Sequence, residues 1–454
     1  MSLSIIVLAA GNGKRMCSGM PKVLHELAGV PMVERVIRTA ESLNPESIHV
    51  VYGSGGAQVK QSLSHLPVNW IKQEERLGTG HAVSQAIPFC HEDDQVLVLY
   101  GDVPLISEET LRQLIDKAGN GSAVLTANID HPAGYGRVIR DQAGFFERIV
   151  EDKDATPRER QVDEINTGVL VTSADYLNTY LPSVTSDNEQ GEYYLPDILS
   201  QLVKDKQQIF TVNASPREIL GINDKVQLAD AESSIRATRA RALMDLGVTL
   251  IDPSRVDIRG DVKCGSDVVI DINVILEGYV VLEDEVNVGA NSCISDSTIG
   301  AGTVIHPMST IEGATIEASC SIGPFARIRP GTKLSRDVKI GNFVETKNTS
   351  IGVASKASHL AYLGDAKIGS SSNIGAGTIT CNYDGVKKHT TEIGDNTFVG
   401  SNSTLVAPLK IAEDAFVSAG STVTKDVASK ELALGRSSQR NVSGWKRPQK
   451  KKPS

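Results

Sequence analysis

The sequence predicts an α/β domain followed by a parallel β-helix, and the strongest of the supporting observations is a period of six. Val256, Val262, Val268, Val274, Val280 and Val286 recur at every sixth residue, and Ile258, Cys264, Ile270, Leu276, Leu282 and Val288 keep step two positions later. Ile322, Ile328, Leu334 and Ile340 hold the same period, as do Ile393, Val399, Leu405, Ile411, Val417 and Val423. Neither a helix nor a hairpin meander repeats on six. Hexapeptide repeats mark a parallel β-helix, in which each coil is three short strands and the aliphatic residue points into a stacked core. The second observation is that this period is missing from the first half. There, apolar runs such as IIVLAA, IHVVYG, NWIKQ and QVLVLYGD alternate with amphipathic stretches such as MVERVIRTAESL, HAVSQAIPFC and SEETLRQLIDKAG. Strand and helix in turn imply a mainly parallel, Rossmann-like sheet wrapped on both faces. Third, 40 glycines and only 4% aromatic residues suit a solenoid with tight turns and an aliphatic core.

The predicted order is an α/β domain over residues 1–226, a connecting helix over 227–247 and the repeat domain over 248–454. The segment from Asp224 to Gly247 lacks proline, is rich in good helix formers and closes on glycine. Five-residue steps from Ile294 to Ile299, Ile311 to Ile316 and Leu363 to Ile368 imply trimmed turns. CNYDGVKKHTTE, at 381–392, interrupts the hexads and must leave the coil as a surface loop. Burying one Val or Ile contributes about 1.5 to 3 kcal/mol, so nine or so coils make a stiff prism without aromatics. Its flat faces and open strand edges invite self-association.

Composition excludes several classes. No apolar run approaches the ~20 residues of a membrane span. IIVLAA lacks a basic leader and runs straight into Gly11, Gly13 and Lys14, which marks a buried strand rather than a signal segment and places the protein in the cytoplasm. Six cysteines without CxxC or Cys/His metal spacing read as free thiols of a reducing compartment. A net charge of −9 argues against a nucleic-acid binder, so any anionic ligand needs locally gathered cations. The basic tail from Lys446 reads as a solvated terminus.

Leu8-Ala9-Ala10-Gly11-Asn12-Gly13-Lys14-Arg15-Met16 follows the first strand directly, with Pro21-Lys22 shortly after. Glycines let successive backbone N–H groups cradle phosphate oxygens, and Arg15 and Lys22 supply charge. The pattern is neither Gly-Lys-Ser/Thr nor GxGxxG. Together with Gln73, Leu77-Gly78-Thr79-Gly80-His81-Ala82, Tyr100-Gly101-Asp102-Val103-Pro104, Gly134-Tyr135-Gly136-Arg137, Ile149-Val150-Glu151, Asn166-Thr167-Gly168 and Gly221-Ile222-Asn223, the loop resembles the sugar-nucleotide pyrophosphorylases over the whole first half. The resemblance implies that Leu8, Ala9, Ala10 and Gly11 with Gln73, Gly78 and Thr79 read the base, while Gly136, Glu151 and Asn166 hold the sugar. Tyr100, Gly101 and Asp102 close the next strand of the same site. A carboxylate at a strand's buried end is costly without a cation, so Asp102 is expected to ligate magnesium, with Asn223 as second ligand by resemblance. The reaction implied is attack of a sugar 1-phosphate on a nucleoside triphosphate, with Mg2+, Lys22 and Arg15 neutralising charge. His81 is expected to be structural, since phosphate monoesters are already ionised near neutral pH.

Polar residues also punctuate the hexads: Arg327-Ile328-Arg329, Gly341-Asn342-Phe343-Val344-Glu345-Thr346-Lys347, His359-Leu360-Ala361-Tyr362 and Asn373-Ile374-Gly375-Ala376. One or two coils separate them, so they can line one groove beside the NYDG insertion. Over its whole length the chain resembles the bacterial bifunctional N-acetylglucosamine-1-phosphate uridylyltransferase / glucosamine-1-phosphate N-acetyltransferase family. That resemblance implies a left-handed β-helix, a homotrimer with acetyl-transfer sites between subunits, and acetyl-CoA as co-substrate. Arg329 and Lys347 would clamp glucosamine 1-phosphate, Tyr362 and Asn373 would complete its pocket, and His359 would be the base. Ala376, Asn382, Tyr383, Ser401, Ala419 and Arg436 match acetyl-CoA contacts, although the tail that supplies Arg436 carries little motif. UTP and N-acetylglucosamine 1-phosphate would react on the first domain, giving UDP-N-acetylglucosamine. The alternative is a pyrophosphorylase whose β-helix only oligomerises or regulates; His359 beside Lys347 and the NYDG loop speaks against it. A non-enzymatic regulatory subunit would be expected to have lost Asp102 or Lys22.

Overall fold

The computed structural model describes residues 2–11, 13–53 and 56–448 of the chain; the last six residues of the basic tail lie outside the described residues. The chain divides into two compact units, Met1–Ile235 and Arg236–Ser454.

In the first unit the main sheet runs in the order Ile209–Asn213, Ser122–Asn128, Glu164–Ser173, Gln95–Tyr100, Leu3–Leu8, Ser47–Gly53, Asn69–Gln73. Leu3–Leu8 is central and parallel to both neighbours, with Leu8 level with Val51 on one side and Tyr100 on the other. Glu164–Ser173 is the antiparallel exception in an otherwise parallel sheet, and the hairpin Arg137–Arg140/Phe146–Val150 hangs from it at Ile165. Side chains alternate across the central strand: Ile5 and Val7 join Val33, Val36, Ile37 and Leu97 in one apolar layer, while Ile6 and Leu8 join Val83, Val98, Leu195 and Ile198 in the other. The helix Met32–Glu41 has its stripe Val33, Val36, Ile37, Ala40 fully buried, the 3.6-residue spacing that lays it on the sheet. Glu108–Ala118 starts where the Ser107 hydroxyl accepts from the Thr110 N–H at 3.2 Å, with Glu108 and Glu109 in its first turn. From Leu3–Leu8 the chain builds outward to Asn69–Gln73 and then returns to lay Gln95–Tyr100 on the opposite side. That reversal opens a crevice at the carboxyl ends of those two strands, where ligands of such sheets bind.

The expected helix spans Lys225–Asp245. Its Ala231 and Ile235 pack with Leu27, Met32 and Ile222 of the first unit, and Ala240 and Leu243 belong to the core of the second.

The second unit is a left-handed parallel β-helix. One face is a parallel sheet running from Thr249–Leu250 to Leu432–Ala433, and the other two faces form one continuous sheet that bends at each coil. Ile275 pairs with Cys293, eighteen residues on, and Cys293 with Thr310, seventeen on, so the five-residue steps are coils shortened by one residue. Ile351 pairs with Ile368, but Ile368 pairs with Ile393, 25 residues on; the surplus leaves the coil within the loop 382–390, between the strands Ile379–Cys381 and Thr391–Ile393. The hexad residues are the core: Val268, Ile270, Val274, Leu276, Val280 and Leu282 are all fully buried. All six cysteines are free thiols, Cys17 exposed and Cys320 buried. Burial pushes the thiols of Cys264 and Cys320 up to about 11, so neither is reactive at neutral pH. Among the described residues no helix is long and apolar enough to cross a membrane.

Ile340 is fully buried, with Ile322 and Ala357 level with it in the adjacent coils. Ile340→Ala is therefore expected to lower stability by about 2 to 5 kcal/mol, read from denaturant unfolding. An unchanged midpoint would count against the aliphatic stack as the source of the prism's stability.

Candidate active sites

At the switch crevice of the first unit lies a cavity of about 420 Å³ lined by Leu8, Ala10, Gly11, Lys22, Val23, Gln73, Arg76, Gly78, Thr79, Ala82, Tyr100, Asp102 and Glu192. Nine of those residues were expected from the sequence. Ala9 and Gly11 line the adjoining cavity under the glycine loop, together with Lys14, Lys22 and Arg76. Gly101 N–H donates to the Leu8 carbonyl at 2.9 Å, which binds the start of the loop to the end of the Asp102 strand.

Gly78 has φ +110°, and a Cβ there would stand 2.6 Å from the Tyr193 carbonyl oxygen and 2.7 Å from its nitrogen. Only glycine fits, and the fit clamps the helix Thr79–Ala86 against the Tyr193 segment through Gly80 N–H to Tyr193 O at 2.8 Å. The Gln73 side chain is almost wholly buried, and its amide donates to His81 Nδ1 at 3.0 Å. His81 thus orients the Gln73 amide.

Gly136, Glu151 and Asn166 form a second cluster: Asn166 N–H donates to Gly136 O at 2.8 Å, and a Cβ on Gly136 would lie 3.0 Å from Glu151 Oε1. Burial, reinforced by Asp197 and Asp154, raises the Glu151 carboxyl above its ordinary range. Tyr100 joins the two clusters. Its ring lies against Gly168, at φ +85°, where any Cβ would meet it at 2.6 Å. Burial, then Glu151 and Asp102, pushes its phenol up, and Thr79 is its hydrogen-bond partner.

Asp102 and Asn223 converge although 121 residues separate them. Ile222 N–H donates to the Asp102 carbonyl at 2.8 Å and delivers Asn223 to its side. The Lys22 ammonium lies between them, ion-paired to Asp102 Oδ2 and 2.9 Å from Asn223 Oδ1. A cation already marks the point these oxygens share. Arg15 is not brought in: it is exposed on the short turn Lys14–Met16 and lines neither cavity, whereas Arg76 lines both.

On the β-helix, Asn342 and His359 are level in adjacent coils, and Asn342 Oδ1 lies 2.6 Å from His359 Nδ1. The amide oxygen only accepts, so Nδ1 carries the proton and Nε2 offers its lone pair. Arg329 is ion-paired to Glu345 at 2.7 Å, and Glu345 is level with Tyr362. Lys347 has Lys388, then Arg329, as its strongest neighbours; both lower its pKa, and Asp365 opposes them. Asn382 donates to Asp365, which ties the inserted loop to this coil, and Tyr383 lies exposed on the loop, bridged to Lys388. Asn373 is half-buried on the strand next to the one that ends in His359.

The acetyl-CoA candidates form a column. Gly377 N–H donates to Leu360 O, Asn402 N–H to Ala376 O and Gly420 N–H to Ser401 O at 3.0, 2.7 and 2.8 Å. His359, Ala376, Ser401 and Ala419 therefore occupy one corner of successive coils, each rung roughly 4.8 Å from the next. Arg436 extends the column: its Cδ is 4.0 Å from where a Cβ on Gly420 would be. A base at one end, small side chains along the way and a guanidinium at the other suit a thioester on a thin arm that ends in phosphates.

Sequence reasoning missed Arg76, Glu192 and Lys388 and gave Asn342 no role. Arg76 interrupts the Gln73 to Gly78 motif with a charge, and Lys388 is one of two lysines in the insertion; those were the available signals.

Residues 5–156 match the MobA-like NTP transferase domain, and residues 390–425 match the hexapeptide repeat of succinyl-transferase. The bifunctional protein GlmU of Marinobacter nauticus is 49% identical over 99% of both chains. Those of Stutzerimonas stutzeri and Acinetobacter baumannii strain AYE are 51% and 50% identical, over 99% and 100% of this chain and the whole of theirs. The chain belongs to the GlmU family. It is a bifunctional transferase, with UDP-N-acetylglucosamine pyrophosphorylase and glucosamine-1-phosphate N-acetyltransferase activities. Membership of the GlmU family brings a divalent metal for nucleotidyl transfer and acetyl-CoA as co-substrate, and the hexapeptide repeats point to an oligomer.

Gly78→Ala, which places a methyl group against Tyr193, is expected to lower uridylyl transfer by about 10²-fold and to leave acetylation unchanged in paired assays.

Proposed function

We propose a division of labour in which the crevice of the first unit carries uridylyl transfer and the His359 column carries acetyl transfer. The observation that supports the first half is the convergence of Asp102, Asn223 and Lys22 at the carboxyl end of the sheet, beside the glycine loop.

The donors facing the Lys22 ammonium are oxygens and one is a carboxylate, a set suited to a hard divalent ion, so Mg2+ is the metal proposed. Among the described residues no group of three or more His, Cys, Asp or Glu could hold a metal alone, so two protein ligands must share it with substrate oxygens. Bound there, Mg2+ would neutralise charge on the reacting phosphates. The chain's own residues do the rest. Lys22, released from Asp102, turns to the triphosphate, and Arg76 and Lys14 add charge on the far side of the glycine loop. Gln73, held by His81, presents a fixed amide to the base. Glu151, Gly136 and Asn166 fix the sugar so that its phosphate oxygen lies in line with the α-phosphorus of UTP. The oxygen–phosphorus bond forms as pyrophosphate leaves, and no covalent enzyme intermediate is needed. Arg15 is left as a group that could approach only with substrate present.

In the acetyl site, Arg329, Lys347 and Lys388 receive the phosphate of glucosamine 1-phosphate. Lys388 and Arg329 lower the Lys347 pKa more than Asp365 raises it, even though Arg329 is paired to Glu345, so the cluster keeps a positive excess that a phosphate can meet. His359 Nε2 takes a proton from the substrate ammonium, and the freed amine attacks the thioester carbonyl. The carbon–nitrogen bond forms and the carbon–sulfur bond breaks; the second proton, shed by the nitrogen as it becomes an amide, passes to the departing CoA thiolate, and the proton taken by His359 is released to solvent. Imidazole is the commonest general base for such an exchange. Tyr362 and Asn373 border the sugar, Asn382 and Tyr383 hold the acetyl end, and Ala376, Ser401 and Ala419 leave room for the arm leading to Arg436. His359 is exposed in one chain, which fits a site closed by a neighbouring subunit of a homotrimer. The setting proposed is the cytoplasm.

Asp102→Ala or chelation of divalent metal is expected to remove pyrophosphate release from UTP while sparing CoA release, and His359→Ala to do the reverse by about 10² to 10⁴-fold. Crossed losses in folded protein would end the proposed division. Asn342→Leu, which frees the His359 tautomer, is expected to slow acetylation by roughly 10-fold, with Asn342→Asp retaining most of the rate; equal rates in the two variants would deny Asn342 its orienting role.

A further inference from the structure

Two side-chain hydrogen bonds join the segment that carries Lys22 to the segment that carries Asn223. The first link is Lys22 Nζ to Asn223 Oδ1 at 2.9 Å. The second joins His25, which closes the turn Lys22–Leu24 by donating its N–H to Lys22 O, to Lys225, two residues past Asn223. Lys225 Nζ lies 3.1 Å from His25 Nδ1, across 200 residues of sequence. An ammonium only donates, so Nδ1 is the acceptor and the proton of the neutral ring sits on Nε2. His25 is only 8% exposed. Burial and then Lys225 lower its pKa, which favours that neutral form.

The two links differ in what substrate binding demands of them. Lys22 occupies the point shared by Asp102 and Asn223, so it must leave when a metal and a triphosphate arrive. Neither His25 nor Lys225 lines the nucleotide cavity, and nothing about binding requires their bond to break. We propose that the His25–Lys225 hydrogen bond is a positioning link that, with the Ile222 N–H to Asp102 carbonyl bond fixing the backbone, keeps the Asn223 side chain facing Asp102 once Lys22 has been released to the phosphates. His25 and Lys225 touch no reacting atom; they act through Asn223. The inference rests on the reading of Asp102 and Asn223 as the metal ligands.

The test is Mn2+ binding to the full-length chain in the presence of UTP, followed by electron paramagnetic resonance. Lys225→Met removes the donor at an exposed position, which leaves folding unaffected, and His25→Leu removes the acceptor. Each is expected to weaken Mn2+ binding by about 10-fold, as loss of a group behind a metal ligand does. The acetyl-transfer rate and the KM for N-acetylglucosamine 1-phosphate should stay unchanged. Lys225→Arg, which still donates to Nδ1, should bind Mn2+ like the parent. Unchanged Mn2+ affinity in Lys225→Met overturns the proposal. Asn223→Ala, measured alongside, separates the two ways of failing. If it alone loses Mn2+, the link is wrong and the ligand pair stands; if it too binds normally, Asn223 is not a ligand and the proposal falls with it.

Discussion

Parallel strand pairing is the constraint on which both sites depend. Neighbouring parallel strands end at the same level, so whatever follows one is delivered beside whatever follows the other. In the first unit Leu8 is level with Tyr100, and this places the glycine loop next to Asp102 without any long-range search. In the second, coils of seventeen or eighteen residues repeat the arrangement vertically: Asn342 stands level with His359, and Glu345 with Tyr362. Register therefore fixes the chemistry. A one-residue slip in the first unit would carry Asp102 away from Lys22, and a slip in a coil would turn core residues outward and separate His359 from Asn342.

Electrostatics adds a second requirement. The chain carries a net charge of −9 yet handles anionic substrates at both sites, so each must hold cations against the trend of the whole. The proposed first site does so by pairing. Lys22, with a side chain only 9% exposed, would be costly to bury unpaired, and Asp102 with Asn223 gives it partners. The second combines partial exposure with partners: Lys388 is exposed, Lys347 and Arg329 are half-buried, Glu345 pairs Arg329, and Asp365 offsets part of the charge that Lys388 and Arg329 press on Lys347.

Much of this was legible in the sequence, and the exceptions have a physical pattern. The hexads announced the prism because burial on one face imposes a period, and the extra residues at 382–390 showed as a break in it. The strand–loop–helix order and the motifs around Gly11, Gly78 and Asp102 were legible because phosphate chemistry needs fixed backbone shapes. What escaped was pairing across coils or between distant loops. Asn342 sat inside a quoted motif, but its value comes from His359 one coil later. Lys388 lay in an insertion with no period to place it. Arg15 was assigned from its position in the loop, yet the turn Lys14–Met16 points it outward, while Arg76, with no motif role, reaches the same cavities. Which cation faces a site is decided by local turn geometry that residue type alone does not encode.

The two reactions also ask for different things of their surroundings. Uridylyl transfer moves charge between phosphates and asks for groups held in place: in the crevice proposed for it, Gly78 against Tyr193, Gln73 against His81 and Tyr100 against Gly168 are fixed contacts around Lys22. Acetyl transfer needs a proton taken at the right atom, so beside its cations it asks for one defined tautomer. On the proposed assignment the Asn342–His359 bond supplies that, and the small corner residues above it, Ala376, Ser401 and Ala419, supply only space. Placing the first demand on a sheet with loops and the second on a repeating corner gives each the scaffold it needs. Loops can gather distant groups such as Asn223, whereas a corner repeats a position at fixed height and suits a long, thin co-substrate lying along it.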